Sequence, residues 1–184
     1  KNFLLSFLPL HNHQQFEIYA FANFLKVEVE DSYSQKYKSH VDHWIRTDGM
    51  EDDQLAQTIR DLKIDILVDL AGHTQGCRLR VFAQKPAPVS LTWLGYGYTT
   101  GLSAIDYFLT DEVMAPNGSE HLFAEQPWRL KNHAFCCYQA KTTMGKVSPL
   151  PALTNNFITF GTLTRAIRMN DQVIQTWAQI LQRV

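Results

Sequence analysis

The sequence predicts an α/β fold: a doubly wound, Rossmann-like parallel sheet, followed by the first strand and helix of a second such half. Three observations carry this. "IDILVDLAG" (64–72) is a continuous apolar run that ends in glycine, the pattern of a strand buried on both faces of a parallel sheet. Strand-like and helix-like segments alternate up to residue 130, the rhythm of βαβ units. After a polar stretch, "FITFGTLTRAIRMNDQVIQTWAQILQRV" (157–184) begins the same rhythm again.

Element by element, Phe3, Leu4, Phe7 and Leu8 have helical spacing, and the stretch from Pro9 to His13 ends that segment. "FEIYAFAN" (16–23) is rich in aromatic and apolar residues and predicts a strand. "DSYSQKYKSH" (31–40) predicts a polar surface helix, with Asp31 and Ser32 as candidate N-caps. "VDHWIRT" (41–47) predicts a short strand. In "DGMEDDQLAQTIRDLK" (48–63) acids fill the first turn and Leu55, Ile59 and Leu62 share one face, which predicts a helix. The 64–72 strand follows. "CRLRVFAQ" (77–84) predicts a short helix stopped by Pro86 and Pro88. "VSLTWLGY" (89–96) and "AIDYFLTDEV" (104–113) are the next strands. "AEQPWRL" (124–130) predicts an edge strand, since Pro127 cannot donate to a ladder. The expected organisation is thus a Rossmann-like half over 1–130, incomplete at its start, a linker over 131–156, and the opening of a second half over 157–184.

Bulk composition narrows the function. With 17 Lys and Arg against 18 Asp and Glu, the chain lacks the basic excess of a dedicated nucleic-acid binder. No apolar run reaches membrane-spanning length, and the first residues show no signal-peptide cleavage pattern, so neither a membrane nor a nucleic-acid partner is expected. Cys77, Cys136 and Cys137 make an odd, partly adjacent set, a poor disulfide framework that points to a reducing cytoplasm. His133 beside Cys136 and Cys137 does not have zinc-site spacing, and no metal is expected. His11, His13, His40 and His43 are read as surface residues.

Ligands of open α/β sheets sit beyond the carboxyl ends of the strands. That selects four loops: "AGHTQGCR" (71–78), "LGYGYTTG" (94–101), "TDEVMAPNG" (110–118) and "GTLTRAIR" (161–168). Their glycines permit close backbone approach, and Tyr96, Tyr98, Thr99 and Thr100 offer ring faces and hydroxyls suited to a sugar or nucleotide. A glycine-rich turn with tyrosines covering the core reads the same way. Arg165 and Arg168, followed by Asn170 as a helix N-cap, suit a phosphate or diphosphate; two solvated loop arginines are the plainer reading. His73, directly after the strongest strand, is suited to meet a sugar hydroxyl, to act as a base, or to a structural role.

The run "DILVDLAGHTQGCRLRVFAQKPAPVSLTWLGYGYTTG", followed by "IDYFLTDEVMAP", resembles the catalytic region of glycosyltransferase family 41, the protein O-GlcNAc transferases of the SPINDLY type. In that family a GHT or GYT turn precedes F-A-x-R-P-A-P, W-L-G-Y-P-G-T-[ST]-G and D-Y-x-x-x-D in this order. The resemblance extends through the 157–184 segment. It implies a GT-B architecture, with the nucleotide sugar between two Rossmann-like halves and tetratricopeptide repeats in the same full-length chain. It implies transfer of a sugar, commonly GlcNAc from UDP-GlcNAc and in some plant members fucose from GDP-fucose, to Ser or Thr hydroxyls of proteins with inversion, without metal or other cofactor. The alternative is an inactive transferase-like scaffold that binds a partner protein. By motif, Leu94, Gly95, Tyr96, Thr99 and Thr100 are expected at the donor sugar, with His73, Thr74 and Arg78 lining the cleft. Arg165 and Arg168 are expected at the diphosphate, Arg168 as the catalytic cation in place of the family's usual lysine. Gly97 and Tyr98 stand where the family has proline and glycine. The family's histidine-proline motif would precede Lys1 and most nucleotide contacts would follow Val184, so the segment is expected to be an incomplete enzyme.

Overall fold

A computed structural model describes residues 3–24, 30–134 and 146–184. The chain forms two compact units, Lys1–Ala140 and Lys141–Val184. In the first, the opening segment makes two short 3-10 turns, Leu4–Ser6 and Leu8–Leu10, in place of the predicted helix. Pro9 in the second turn removes the amide that a continuing α-helix would need.

Strands β1 (Tyr19–Ala22) and β2 (His43–Arg46) pair in parallel as a two-stranded sheet, connected through helix α1 (Ser32–Lys38). Asp31 caps α1 as its sequence position predicts, accepting from the amides of Tyr33 at 3.0 Å and Ser34 at 2.8 Å. Helix α2 (Asp52–Asp61) carries Asp52 and Asp53 in its first turn and buries Leu55, Ala56 and Ile59. The remaining strands form one parallel sheet: β3 (Ile66–Asp69), β4 (Val89–Thr92), β5 (Tyr107–Asp111) and β6 (Gln126–Leu130), in that order. Helix α3 (Leu79–Ala83) connects β3 to β4. The core joins Leu55, Ala56 and Ile59 of α2 to Leu67, Val81, Phe82, Ala87 and Ile105.

The expectation that β3 is buried on both faces is corrected. Leu67 and Asp69 are buried, but Ile66 is 55% and Val68 41% exposed. Helices α2 and α3 cover only the Leu67 side, and strand side chains alternate, so the other side of β3 stays open among the described residues. Pro127 lies within β6 and pairs with Phe108 of β5 on one side only, as an edge strand allows.

In the second unit α4 (Ala152–Asn155) is a single turn within the predicted linker. Residues 157–161 form no strand ladder, because no partner strand lies beside them among the described residues. A 3-10 turn, Ala166–Arg168, leads into helix α5 (Asp171–Leu181), capped by Asn170 accepting from Val173 N at 3.0 Å. Cys136 and Cys137 lie outside the described residues. No described helix is long and apolar enough to cross a membrane.

Candidate functional site

The parallel register of β3, β4 and β5 brings their carboxyl ends, and hence loops 71–78, 94–101 and 110–118, to one rim. The tightest junction lies between the first two. A Cβ on Gly95 would overlap the carbonyl oxygen of Leu70 and the backbone of Ala71, so only glycine fits there. Gly72, at φ +54°, packs in the same way against the Cβ of Tyr96. Between them Leu94 adopts φ +70°, and Gly95 N donates to Trp93 O at 2.9 Å. This closes a three-residue γ-turn of the positive-φ kind, a strained conformation that persists only where its surroundings enforce it.

Asp69, 4% exposed at the end of β3, is the pin of this junction. Its carboxylate accepts from Ala71 N at 3.0 Å, Gly72 N at 2.9 Å and Thr92 Oγ1 at 2.7 Å. Trp93 N donates to the Asp69 carbonyl at 2.9 Å. One side chain therefore fixes the start of loop 71–78 and ties it to β4. On the outer surface His73 meets Tyr96 edge-on, with centroids 5.3 Å apart. Thr74 donates its hydroxyl to Ala71 O at 2.7 Å, closing the turn.

Loop 94–101 is fixed at its other end by Glu125, 3% exposed, just before β6. Its carboxylate accepts from Thr99 Oγ1 at 2.7 Å, Thr100 N at 2.8 Å and the Thr100 hydroxyl. Thr99 Oγ1 in turn accepts from Gly101 N at 3.0 Å and Ala124 N at 3.1 Å. The hydroxyls of Thr99 and Thr100 are thus engaged within the protein. What the loop leaves open to a ligand is the backbone near Gly97 and the half-exposed rings of Tyr96 and Tyr98. Tyr98 leans on Phe123 at 5.1 Å.

The third loop has its own buried carboxylate. Asp111 accepts from Val113 N at 3.0 Å, Met114 N at 2.9 Å and Ala134 N at 2.8 Å. The Met114 amide holds the Asp111 carboxyl below the ordinary range; burial opposes this, and the Ala134 and Val113 amides reinforce it.

Arg78 occupies the inner end of loop 71–78, where it pairs with Asp52 at 3.2 Å and donates to Met50 O. Its guanidinium therefore anchors the start of α2. In the second unit Arg165 directly precedes the 3-10 turn that ends at Arg168, without a side-chain capping bond, and both are exposed. The structure thus gathers His73, Thr74, Leu94, Gly95 and Tyr96 at the carboxyl rim of the first unit, carries Thr99 and Thr100 away from it toward the amino start of β6, where Glu125 holds them, and holds both arginines before α5 in the second. Among the described residues no cluster of three or more His, Cys, Asp or Glu could hold a metal ion.

Sequence reasoning missed Asp69, Asp111 and Glu125. The signal for the first was present: in "ILVDLAG" a carboxylate occupies an inward position of an apolar strand, directly before a glycine turn. Such a group needs donors, and the turn amides supply them.

Residues 2–144 match the family model described as Glycosyl transferase family 41. The chain is 34% identical over 175 residues to a Petunia hybrida protein named probable UDP-N-acetylglucosamine–peptide N-acetylglucosaminyltransferase SPINDLY, covering 95% of this chain and 19% of that one. It is 28% identical over 186 residues to the Arabidopsis thaliana protein of the same description named SEC, covering 97% and 19%. Among solved structures, a K341M mutant of Thermobaculum terrenum O-GlcNAc transferase matches with TM-score 0.82 and 31% identity, covering 98% of this chain and 33% of that one. The chain spans about a fifth of the length of these curated relatives.

Proposed function

The chain belongs to glycosyl transferase family 41, and from that premise we propose that the protein containing it transfers GlcNAc from UDP-GlcNAc to Ser or Thr hydroxyls of proteins, with inversion. One observation supports this most: the similarity to UDP-N-acetylglucosamine–peptide transferases runs through 95% of the chain, including all three locked rim loops. In this reading the acceptor hydroxyl oxygen attacks the anomeric carbon as the bond to the diphosphate oxygen breaks. The bonding electrons leave on UDP, and the hydroxyl proton passes to a general base. Arg168 is the cation we assign to the departing diphosphate, with Arg165 beside it; a positioned cation at a developing negative charge lowers the barrier directly.

Within the first unit, the donor sugar would meet the backbone of Leu94, Gly95 and Gly97 and the ring of Tyr96, with Thr99 and Thr100 holding the loop from behind. His73 and Thr74 would line the cleft, while Arg78 would act from beneath by fixing loop 71–78. We assign the reaction no metal and no other cofactor. The setting that fits the family resemblance is a cytoplasmic protein with tetratricopeptide repeats, acting on proteins rather than on nucleic acid or membranes.

The test is turnover and calorimetry on the full-length protein. UDP-GlcNAc should bind, and Arg168→Ala should lower kcat by about 10²-fold, the scale of removing one oxyanion-type stabiliser. A full-length protein that binds neither UDP nor UDP-GlcNAc would be the scaffold alternative, and unchanged turnover in Arg168→Ala would remove the role assigned to that residue.

A further inference from the structure

We propose that Glu125 is a positioning residue that lets the site distinguish a sugar-bearing donor from the bare nucleotide diphosphate. The inference rests on the transferase reading above and adds to it the residue that sets donor discrimination. Glu125 is buried, and among the described residues it has no Lys, Arg or His ion-pair partner. An isolated buried carboxylate is costly unless its oxygens are satisfied by donors. Here every donor comes from one place. Thr99 Oγ1, Thr100 N and the Thr100 hydroxyl converge on the two oxygens, and Thr99 passes the constraint on to Gly101 N and Ala124 N. Thr100 Oγ1 also accepts from Leu102 N at 3.3 Å.

The direction of this network decides its role. Its one link toward the apolar core around Leu55, Ile59 and Phe82 is the bond from Leu102 N, whose side chain packs against that core; the carboxylate itself bonds the loop. It ties the loop after β4 to the start of β6, skipping β5, while Gln126 N is itself held to Asp106 O at 2.9 Å. The segment between this clamp and the Gly95 junction is only Tyr96, Gly97 and Tyr98, and all three are exposed. Both ends of a three-residue tip are therefore fixed, one by backbone packing and the other by Glu125. A tip so held presents its peptide groups and rings in one arrangement. Contacts to a donor sugar depend on that arrangement, whereas contacts to the nucleotide assigned to the second half do not.

The experiment uses the full-length protein. Dissociation constants for UDP-GlcNAc and for UDP alone are measured by calorimetry on the wild type and on Glu125→Gln, with Thr99→Val as a second variant should the first fail to fold. Loss of a hydrogen-bonding carboxylate should weaken UDP-GlcNAc binding about tenfold or more, and Thr99→Val about threefold, while UDP binding shifts less than about twofold. Equal weakening of both ligands, which a general loss of folded structure would give, overturns the inference, as does unchanged UDP-GlcNAc binding. A wild type that binds neither ligand removes the transferase reading itself, and this inference with it.

Discussion

Replacing Gly95 with alanine puts a methyl group where the backbone of Leu70 and Ala71 already stands. The new Cβ would lie well inside the 3.4 Å at which contacts become ordinary. Its neighbours are backbone atoms, which cannot rotate away as a side chain can. Relief requires the two loops to separate by roughly 1 Å, in an interior that is already close-packed. That separation works against Trp93 N to Asp69 O at 2.9 Å and Thr92 Oγ1 to Asp69 at 2.7 Å. Overpacking strain of about 1–3 kcal/mol and one weakened hydrogen bond of about 1 kcal/mol give about 2–4 kcal/mol.

Two other glycines in the same loop are internal controls. A Cβ on Gly97 would meet only Met114 Cε at 3.5 Å, an ordinary contact with the end of a flexible side chain, so Gly97→Ala should cost under about 0.5 kcal/mol. Gly101 has open space around it but φ +75°, so Gly101→Ala should cost about 1–2 kcal/mol from backbone strain alone. Urea unfolding of the purified variants measures all three, and the order of loss should be 95, then 101, then 97. A Gly95→Ala protein within about 0.5 kcal/mol of wild type, or a Gly97→Ala protein equally destabilised, would refute the packing argument.

Acid sensitivity should report Asp111. Its folded-state carboxyl is held below the ordinary value, so its contribution is complete above about pH 4 and is lost as pH falls through the lower folded-state value. Asp111→Asn should flatten stability against pH in that acid window, and an unchanged slope would assign the sensitivity to other carboxylates. For the full-length protein, EDTA should leave turnover unchanged; activity restored only by an added divalent ion would overturn the metal-free reading.

Helices α1, α2 and α5 were legible because each has a local cause. Asp31 and Asn170 cap α1 and α5 from the positions that their side chains dictate, and Leu55 and Ile59 mark the buried face of α2. The Gly95 loop was legible as a tight turn beyond a strand end because glycine and tyrosine are dense there. What stayed hidden depends on contacts between residues distant in sequence. Thr99 and Thr100 looked like free hydroxyls because Glu125, their acceptor, lies 25 and more residues away. Arg78 looked like a cleft cation because Asp52 and the Met50 carbonyl precede it by a whole helix and strand. The open side of β3 was hidden for a similar reason: an apolar run records that a strand can be covered on both faces, not which neighbours cover it.

Asp69, Asp111 and Glu125 together explain why the loops at the two edges of this sheet have a defined shape. Asp69 and Asp111 are buried carboxylates at the carboxyl ends of β3 and β5, and Glu125 is one at the amino start of β6; each accepts backbone amides of a neighbouring loop: Ala71 and Gly72, then Val113 and Met114, then Thr100. Apolar side chains in those positions would avoid the desolvation cost of burying a charge, but they would hold loops only by shape. Carboxylates hold them by direction, since each oxygen fixes where an amide must point. A group-transfer site gains from that difference, because donors aimed before the substrate arrives need no reorganisation as charge develops. The sheet core supplies the stability of the first unit, while its three carboxylates supply the fixed geometry in which a strained Leu94 turn can be maintained.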